Sequence, residues 1–179
     1  MIMFTKTNKE LRDYYDLAKS YLHYNPLSGI FTWRVNRGKS VKKGDRAGCL
    51  NLKNYIVLTI TKNGKPKQIK AHRLAWYITH GEFYDMIDHI DGNPSNNSLD
   101  NLRPCTNKQN QMNRGKCINN TSGYKGVVWH KHKKKWMASI RKNGKKEFLG
   151  YYNSPKEASV IYEKRAKELH GDFYHKKEL

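Results

Sequence analysis

The sequence has no long hydrophobic run and little negative charge. No segment approaches the about 20 apolar residues that a membrane-spanning helix needs, and the opening MIMFTKTNKE has no apolar signal core. Only 15 Asp and Glu residues stand against 35 Lys and Arg residues, which gives a formal net charge of +20. A compact chain with this charge repels itself unless it binds a polyanion. The lack of an apolar segment predicts a cytoplasmic protein without a membrane partner.

The distribution of the positive charge indicates which polyanion is bound. A membrane-surface protein, or a merely soluble basic protein, would also carry such a charge. In this chain the Lys and Arg residues are interleaved with Tyr and Trp rather than aligned on one long amphipathic helix. This pattern favours nucleic acid.

Cysteine is also scarce. Cys49, Cys105 and Cys117 form no CxxC pair. Neither a disulfide framework nor a thiolate zinc site is expected from this spacing. We interpret the three residues as buried or half-buried thiols.

The first part of the chain contains a helical pattern followed by a strand pattern. Apolar residues recur every three or four positions over residues 8–22, which predicts an amphipathic helix. Residues 25–29, NPLSG, cannot continue it and predict a turn. The alternation over residues 30–35 then favours a strand.

A hairpin and a second helix are predicted next. Two strand-like segments, 55–61 and 68–71, flank the dipeptide Asn63-Gly64, which is typical of a tight hairpin turn. Apolar residues within 72–80 predict a helix that ends at Gly81.

The pattern changes at Met86. A short apolar piece, 86–90, runs into the polar loop DGNPSNNSLDN. A short strand at residues 102–103 and a helix from Thr106 are expected to follow. Because Asn and Asp side chains can bond nearby backbone, the long loop can be ordered.

A second module is predicted beyond residue 122. Residues 114–122 have neither apolar periodicity nor the length to pack, so we expect a linker there. The module should form three strands and one helix, which begins with the capping box Ser154-Pro155-Lys156-Glu157 and ends at Gly171. The strands cover residues 124–131, 135–142 and 146–152, with an Asn-Gly turn at residues 143–144.

The segment from 88 to 110 contains the residue types that phosphodiester hydrolysis needs, namely a base for water and ligands for a cation. Asp88 offers a carboxylate oxygen and Asn110 a carbonyl oxygen, which suit Mg²⁺ or Mn²⁺. His89 can take a proton from water, provided that a hydrogen bond to its other nitrogen sets the tautomer. Because adjacent strand residues point to opposite sides, Asp88 and His89 share a site only if the strand ends or bends there.

The run DHIDGNPSNNSLDNLRPCTNKQNQMN resembles the HNH endonuclease motif, in the His-Asn-Asn form of phage and intron-encoded homing endonucleases. With the upstream stretches NPLSGIFTW and AHRLAWYITHG, the likeness covers about residues 12–113. The resemblance implies a ββα-metal fold in which His89 is the general base and Asp88 and Asn110 are metal ligands. It also implies that Asn101 holds the end of the His-bearing strand. Because Asn110 stands where the broad family has histidine, we expect a hard cation and no zinc.

Four residues near the motif have two interpretations each. Arg73 and Arg103 either clamp phosphates near the cut or form ordinary salt bridges. His72 and His80 either take part in catalysis or are helix-end histidines bonded to backbone or solvent, which is the commoner case.

The predicted sheet of the second module has two faces, because successive strand residues point to opposite sides. Trp136, Ala138 and Ile140 should pack against the helix stripe of Ala158, Tyr162 and Ala166. The opposite face is basic and of a shape that can enter a major groove. It would contain Val128, His130, His132, Met137, Ser139, Arg141, Lys146 and Phe148.

Residues 122–173, with the run YKGVVWHKHKKKWMASIRKNGKKEFLGYY, resemble the Apetala-two/ethylene-response-factor DNA-binding domain. The resemblance implies that the sheet reads the major groove. Val128 and Ser139 replace polar or charged contacts of that family, so its sequence preference does not carry over. Trp136 matches a buried aromatic residue of the family, whereas Trp129 fits either the core or a phosphate contact. The matching contact positions are Lys125, His130, Arg141, Lys146 and Phe148.

The sequence thus predicts an α+β chain with two domains. Residues 1–113 form a ββα-metal nuclease domain with accessory hairpins and helices, its core at about 86–113. A linker at 114–122 leads to a DNA-binding domain at 123–179, with a three-stranded antiparallel sheet packed on one helix.

The predicted function is that of a metal-dependent endonuclease with Mg²⁺ or Mn²⁺ as cofactor. It nicks or cuts double-stranded DNA at preferred sites, as a monomer without a small-molecule cofactor. The alternative is a non-catalytic DNA- or RNA-binding protein on a nuclease-like scaffold. The set Asp88, His89, Asn101 and Asn110 favours the enzyme.

Overall fold

The computed structural model describes residues 6–84, 86–113, 119–142 and 144–174, and it has a mixed α/β fold with small antiparallel sheets. The helices are α1 Lys6–Tyr21, α2 Ala71–His80, α3 Asn107–Asn113 and α4 Pro155–His170. The strands are β1 Leu22–Tyr24, β2 Phe31–Trp33, β3 Arg46–Ala47, β4 Cys49–Leu50, β5 Ile56–Lys62, β6 Lys65–Lys70, β7 Ile87–His89, β8 Leu102–Pro104, β9 Val127–His130, β10 Lys135–Lys142 and β11 Lys145–Tyr152.

The chain divides into two compact units, Met1–Cys105 and Thr106–Leu179. Helix α3 therefore groups with the second unit, although the sequence assigned it to the nuclease domain. The domain ranges 1–113 and 123–179 stay predictions. Most of the predicted linker, residues 114–118, lies outside the described residues.

The amphipathic helix predicted near the N-terminus is confirmed as α1. Its apolar stripe is buried at Tyr14, Tyr15 and Ala18. The predicted helix included Leu22, but that residue begins β1 and pairs with Trp33 of β2. Leu22 is buried in the strand as it would be in a helix, so apolar spacing could not separate the two structures.

The predicted hairpin is confirmed as β5 and β6. Its turn residues Asn63 and Gly64 have φ angles of 50° and 74°, the conformation that the Asn-Gly dipeptide favours. Strand β4 pairs with the other edge of β5. Helix α2 follows β6 directly and ends at Gly81, whose φ of 73° provides the left-handed cap.

The core of the first unit lies between α1, α2 and the sheet of β5 and β6. Side chains from all of these elements are buried together with residues of β1 and β2. This packing fixes the start of α2, and with it His72, in the same unit as β7 and β8. The largest fully buried side chains of this core are Leu22, Phe31, Leu58, Ile60, Ile69 and Leu74.

In the second unit, α4 covers one face of the sheet β9-β10-β11. The predicted packing is confirmed, since Ala138 is buried against Ala158, and Ile140 against Tyr162 and Ala166. The strands β10 and β11 form the predicted hairpin; Asn143 of its turn lies outside the described residues.

Helix α4 begins as its sequence predicts. The Ser154 hydroxyl accepts hydrogen bonds from the backbone amides of Lys156 and Glu157, at 3.1 Å and 3.3 Å. Pro155 occupies the first helical position, where its missing amide proton costs no hydrogen bond. The helix ends at Gly171.

Within the described residues, no helix is both long enough and apolar enough to span a membrane. Cys49 is exposed and Cys105 is half-buried, each as a free thiol. Cys117 lies outside the described residues.

Candidate active site

His89 is the last residue of β7, a strand whose residues are all buried. It pairs with Leu102 of β8, and the chain turns immediately afterwards, with the Gly92 amide donating to the His89 carbonyl oxygen at 2.9 Å. The imidazole Nε2 lies 3.1 Å from Oδ1 of Asn97. The strand therefore ends at His89. This is the condition under which the neighbouring residues Asp88 and His89 can serve one site.

Asp88 forms an ion pair with Arg103, its cross-strand neighbour on β8. Both Nη2, at 2.9 Å, and Nε, at 3.2 Å, donate to the same carboxylate oxygen, Oδ2. The two side chains are only 6% and 14% exposed. Arg103 therefore forms a salt bridge in this structure, which is one of its two interpretations. Its partner is buried rather than at the surface.

His72, in the first turn of α2, is the nearest aromatic neighbour of His89, with ring centroids 4.7 Å apart in an edge-to-face arrangement. The Tyr55 ring completes the cluster, at 5.4 Å from His72 and 5.9 Å from His89. His72 is buried, and its Nδ1 has no hydrogen-bond partner among the described residues. His72 is thus packed against the His89 ring at the start of α2, and its two interpretations stay predictions.

Both histidines are held in the neutral form. Burial, together with smaller contributions from the nearby His89, Lys70 and Arg73, lowers the pKa of His72 to about 2. Burial also lowers the pKa of His89, and the hydrogen bond to Asn97 and the carboxylates of Asp91 and Asp88 offset this only in part. A neutral imidazole can accept a proton, which is what a general base must do.

Asn101 connects the two ends of the loop that follows β7. Its Nδ2 donates to Asp91 Oδ1 at 3.0 Å and to the Asn96 carbonyl oxygen at 2.8 Å. Its Oδ1 accepts from the Asp91 amide at 3.0 Å, and its carbonyl oxygen accepts from the Ile90 amide at 2.8 Å. These bonds fix the chain directly after His89.

The Asp91 carboxylate accepts hydrogen bonds from several residues of this loop. Burial acts to raise its pKa, but hydrogen bonds from the Asn93 amide and from the Asn96 and Asn101 side chains outweigh burial and lower it. The loop is therefore ordered through an ionised carboxylate and its amide donors, as its Asn and Asp content indicates.

Asn110 lies on α3, half-buried, in the second unit. Thr106 and Gln109 start this helix with a reciprocal capping box. The Gln109 side chain accepts from the Thr106 amide at 2.8 Å, and the Thr106 hydroxyl accepts from the Gln109 amide at 3.2 Å.

The two predicted metal ligands supply oxygen donors only. Asp88 and Asn110 offer oxygen atoms, which fit Mg²⁺ or Mn²⁺ and leave further positions for phosphate and water. In the described part of the chain, no group of three or more His, Cys, Asp or Glu residues could hold a metal ion.

Arg73 is half-buried near the start of α2, and His80 is exposed at its end. The Arg73 Nη2 donates to the Tyr84 carbonyl oxygen at 3.2 Å. His80 stacks on Trp76 with ring centroids 3.9 Å apart, and its Nδ1 lies 3.2 Å from the Trp76 carbonyl oxygen. His80 is thus the helix-end histidine that the commoner interpretation describes.

The face of the second unit's sheet that lies opposite α4, hereafter the outer face, carries most of the predicted DNA contacts. Arg141 and Lys146 are exposed cross-strand partners, and Ser139 pairs with Phe148, which is 55% exposed. No acidic residue occurs on this face. The outer face consists of Val128, His130, Lys135, Met137, Ser139, Arg141, Lys146, Phe148 and Tyr151.

Two other predicted positions have defined partners. The ammonium of Lys125 donates to the Met112 carbonyl oxygen at 2.7 Å, at the end of α3. Trp129 packs edge-to-face on Trp136 with ring centroids 5.1 Å apart. Strand alternation puts Trp129 on the α4 side of the sheet, but it is 45% exposed, so its two interpretations stay predictions.

Two residues of the site were missed or left open by the sequence. Asn97 was overlooked because the loop contains several Asn residues and spacing does not tell which one turns inward. His72 was left open because a histidine in the first turn of a helix is usually exposed. The hydrophobic neighbours of His72 at residues 71, 74 and 75, which predict a buried helix face, were the one available signal.

Residues 70–112 match the family model of the HNH endonucleases. This segment, which contains β7, the polar loop, β8 and most of α3, is an HNH endonuclease domain, so the resemblance stated from the motif is confirmed at this level. The resemblance of residues 122–173 to the Apetala-two domain stays a prediction.

The chain belongs to the same family as Protein 3.8 of Escherichia phage T7. It is 37% identical to that protein over 111 residues, which are 60% of this chain and 89% of the relative. It is also 33% identical to the DNA endonuclease I-HmuI of Bacillus phage SP01 over 99 residues, 52% of this chain and 53% of that protein.

One solved structure is also similar, that of DNA binding and cleavage by the HNH homing endonuclease I-HmuI. The match has 26% sequence identity, covers 88% of each chain and has a TM-score of 0.39.

Proposed function

We propose that the protein is a metal-dependent DNA endonuclease in which His89 activates the water that attacks the phosphodiester bond. One observation carries the proposal: a buried, neutral histidine whose Nε2 is engaged by Asn97 stands at the end of the strand in an HNH domain. A neutral imidazole held in this way has one ring nitrogen as donor and the other as acceptor. That is the arrangement a general base requires.

The other motif residues have supporting roles in the proposed reaction. Asn101 holds the chain after His89 through its bonds to Asp91 and Asn96. Asp88 and Asn110 would hold Mg²⁺ or Mn²⁺. The cation, when bound, neutralises charge on the phosphate oxygens and on the leaving oxygen. In this account β7, β8 and α3 are the strands and the helix of a ββα-metal motif.

Arg103 has a specific role in this proposal. Its guanidinium neutralises the buried Asp88 carboxylate and holds it in one orientation. Removing one partner of a buried ion pair is strongly destabilising. Arg73, whose Nη2 bonds the Tyr84 carbonyl oxygen, remains a proposed phosphate contact near the cut.

The outer face is the proposed grip on double-stranded DNA. His130, Arg141, Lys146 and Phe148 lie on it, and it combines positive charge with exposed apolar groups and no carboxylate. Charge of this kind binds phosphates without regard to sequence, and side chains on a sheet can reach base edges in the major groove. Lys125 bonds the main chain of α3 and would link the grip to that helix.

We further propose that the enzyme acts as a monomer of the homing type, with preferred sites, and cuts one strand at a time. A single histidine base supports one hydrolysis event per encounter. Site preference would come from the outer face rather than from the catalytic residues, which contact only phosphate and water.

The test is cleavage of plasmid and of long genomic DNA at low salt with Mg²⁺, Mn²⁺ or a chelator. The proposal predicts nicks or breaks with either metal and none with the chelator. If the protein shifts DNA in a gel but cuts in no metal, it is the non-catalytic binding protein that the sequence left as the alternative.

A further inference from the structure

Asn97, which the HNH motif does not assign, is among the most deeply buried polar residues of the described chain, at 2% exposure. It lies inside the loop between β7 and β8, and its side-chain oxygen Oδ1 is 3.1 Å from Nε2 of His89. A buried amide with a histidine as its partner can fix the tautomer of that histidine.

The orientation of the Asn97 amide follows from its second partner. Its Nδ2 donates to the Ser95 carbonyl oxygen at 3.3 Å. If the amide were turned over, its oxygen would face that carbonyl oxygen and the two acceptors would repel each other. Oδ1 therefore faces His89 and can only accept, so Nε2 must carry the proton and Nδ1 the lone pair.

The main chain of Asn97 is also held, by residues far away in sequence. The Tyr24 hydroxyl donates to the Asn97 carbonyl oxygen at 2.8 Å. The Leu99 amide donates to the Pro26 carbonyl oxygen at 2.8 Å. The turn at residues 25–29 comes so close that a Cβ on Gly29 would lie 2.3 Å from the Asn97 carbonyl carbon.

We propose that Asn97 is a positioning residue that fixes His89 as the Nε2–H tautomer and so makes Nδ1 the atom that receives the proton from water. The inference rests on the proposed function. As the water oxygen bonds to phosphorus, its proton passes to Nδ1 and the bond from phosphorus to the leaving oxygen breaks. The leaving oxygen takes a proton from solvent, and the imidazolium returns its own.

The tautomer can be measured without any cleavage. Histidine labelled with NMR-active nitrogen is introduced into the full-length protein, and the His89 signals are identified by their absence from His89→Ala. We expect Nε2 of His89 to be protonated and Nδ1 to be unprotonated at neutral pH. The opposite tautomer, or rapid exchange between the two, would overturn the proposal even if the protein proved to have no nuclease activity.

Two substitutions at Asn97 then connect the tautomer to the rate. Asn97→Asp keeps an acceptor oxygen beside Nε2, whereas Asn97→Leu removes it at similar size. We expect Asn97→Leu to lose the fixed tautomer and to cleave bound DNA on the order of a hundredfold more slowly in single-turnover assays, with unchanged DNA affinity. Asn97→Asp should keep the tautomer but, because its second oxygen faces the Ser95 carbonyl oxygen, should be less stable than the wild type.

Asn153→Leu is the control, because it makes the same change at an exposed asparagine outside this loop. It should cleave at the wild-type rate. If Asn97→Leu loses the tautomer and still cleaves like the wild type, Asn97 does not position the base. If the wild type does not cleave at all, the proposed function fails, and the NMR measurement alone decides the role of Asn97.

Discussion

The guanidinium of Arg103 lies against the carboxylate of Asp88, with Nη2 2.9 Å from Oδ2. The two residues are directly opposite on β8 and β7, so the antiparallel register brings them together. A predicted phosphate clamp and a predicted metal ligand are thus partners of one another. Any cation that binds Asp88 must share the carboxylate with Arg103.

This pairing predicts the effect of Arg103→Met. The variant leaves a buried carboxylate without its partner, so the free energy of unfolding should fall by about 3–5 kcal/mol in the absence of metal. Mg²⁺ should restore part of the loss, because a cation bound to Asp88 replaces the missing charge. Urea unfolding with and without Mg²⁺ measures both effects.

The control for that variant is Arg165→Met, which breaks the more exposed pair of Arg165 and Glu147 in the second unit. Exposed pairs contribute little, so its loss of stability should be much smaller and should not respond to Mg²⁺. Equal losses in the two variants would contradict the importance assigned to the buried pair.

Gly29→Ala tests the close approach of the turn at residues 25–29 to Asn97. The new Cβ would lie 2.3 Å and 2.4 Å from main-chain atoms of Asn97 and Ser98, on a residue with φ of +69°. Backbone atoms cannot move aside cheaply, so we expect a loss on the order of 3 kcal/mol in the free energy of unfolding. Cleavage should slow as well, because Asn97 would be displaced from His89.

Gly64→Ala is the matched control for Gly29→Ala. Gly64 has a similar φ of +74°, but a Cβ there would meet nothing within 4 Å. It should therefore lose only the about 1–2 kcal/mol that a positive φ costs and should keep the wild-type cleavage rate. The close approach would be disproved if the two variants unfolded at the same urea concentration.

The buried His72 predicts how stability depends on pH. Its pKa is about 2 in the folded protein, whereas an unfolded histidine titrates near pH ~6.5. Between these values the unfolded chain binds a proton that the folded protein does not. The free energy of unfolding should thus fall as the pH falls below ~6.5, by up to about 1.4 kcal/mol per pH unit from this residue, and the full contribution is present above that pH.

His72→Phe removes this titration while keeping a ring beside His89. Its stability should decline less steeply in acid than that of the wild type, and the two pH curves should run parallel above pH ~7. Thermal or urea unfolding across the acidic range provides the comparison. Equal slopes in acid would mean that His72 is protonated in the folded protein.

Charge and apolar contacts on the outer face can be separated by the salt dependence of DNA binding. Arg141→Ala should lower the log-log slope of affinity against salt by about 0.9, the value for one lost phosphate contact. Phe148→Ala should weaken binding without changing the slope, because it removes no charge. Lys164→Ala, on exposed α4, is the control for loss of charge and should leave both affinity and slope nearly unchanged.

The sequence predicted the elements that are defined by local patterns. The helices α1, α2 and α4 follow from apolar spacing and caps, and the hairpin of β5 and β6 follows from Asn63-Gly64, because these signals depend on neighbouring residues only. Strand β1 was missed because a buried Leu22 fits a helix end as well as a strand. The very short strands β3 and β4 have no pattern long enough to detect.

The site was predictable to the extent that it follows the motif. The HNH domain was identified from the resemblance of the run that begins at Asp88, but the contacts around His89 were not predicted. Asn97 contacts His89 from the loop between β7 and β8, and His72 contacts it from helix α2. Such contacts depend on how separate segments pack. The pairing of Asp88 with Arg103 likewise depends on the register of β7 and β8, which neither short strand specifies by itself.

The central claim, that His89 is the base of a nuclease, is tested most directly by single-turnover cleavage of plasmid DNA by wild type and His89→Ala in Mg²⁺ or Mn²⁺. The protein is in excess, so that binding does not limit the rate. The account predicts that His89→Ala binds the plasmid as the wild type does and cleaves it at least about a hundredfold more slowly. Cleavage at the same rate by both proteins would contradict it.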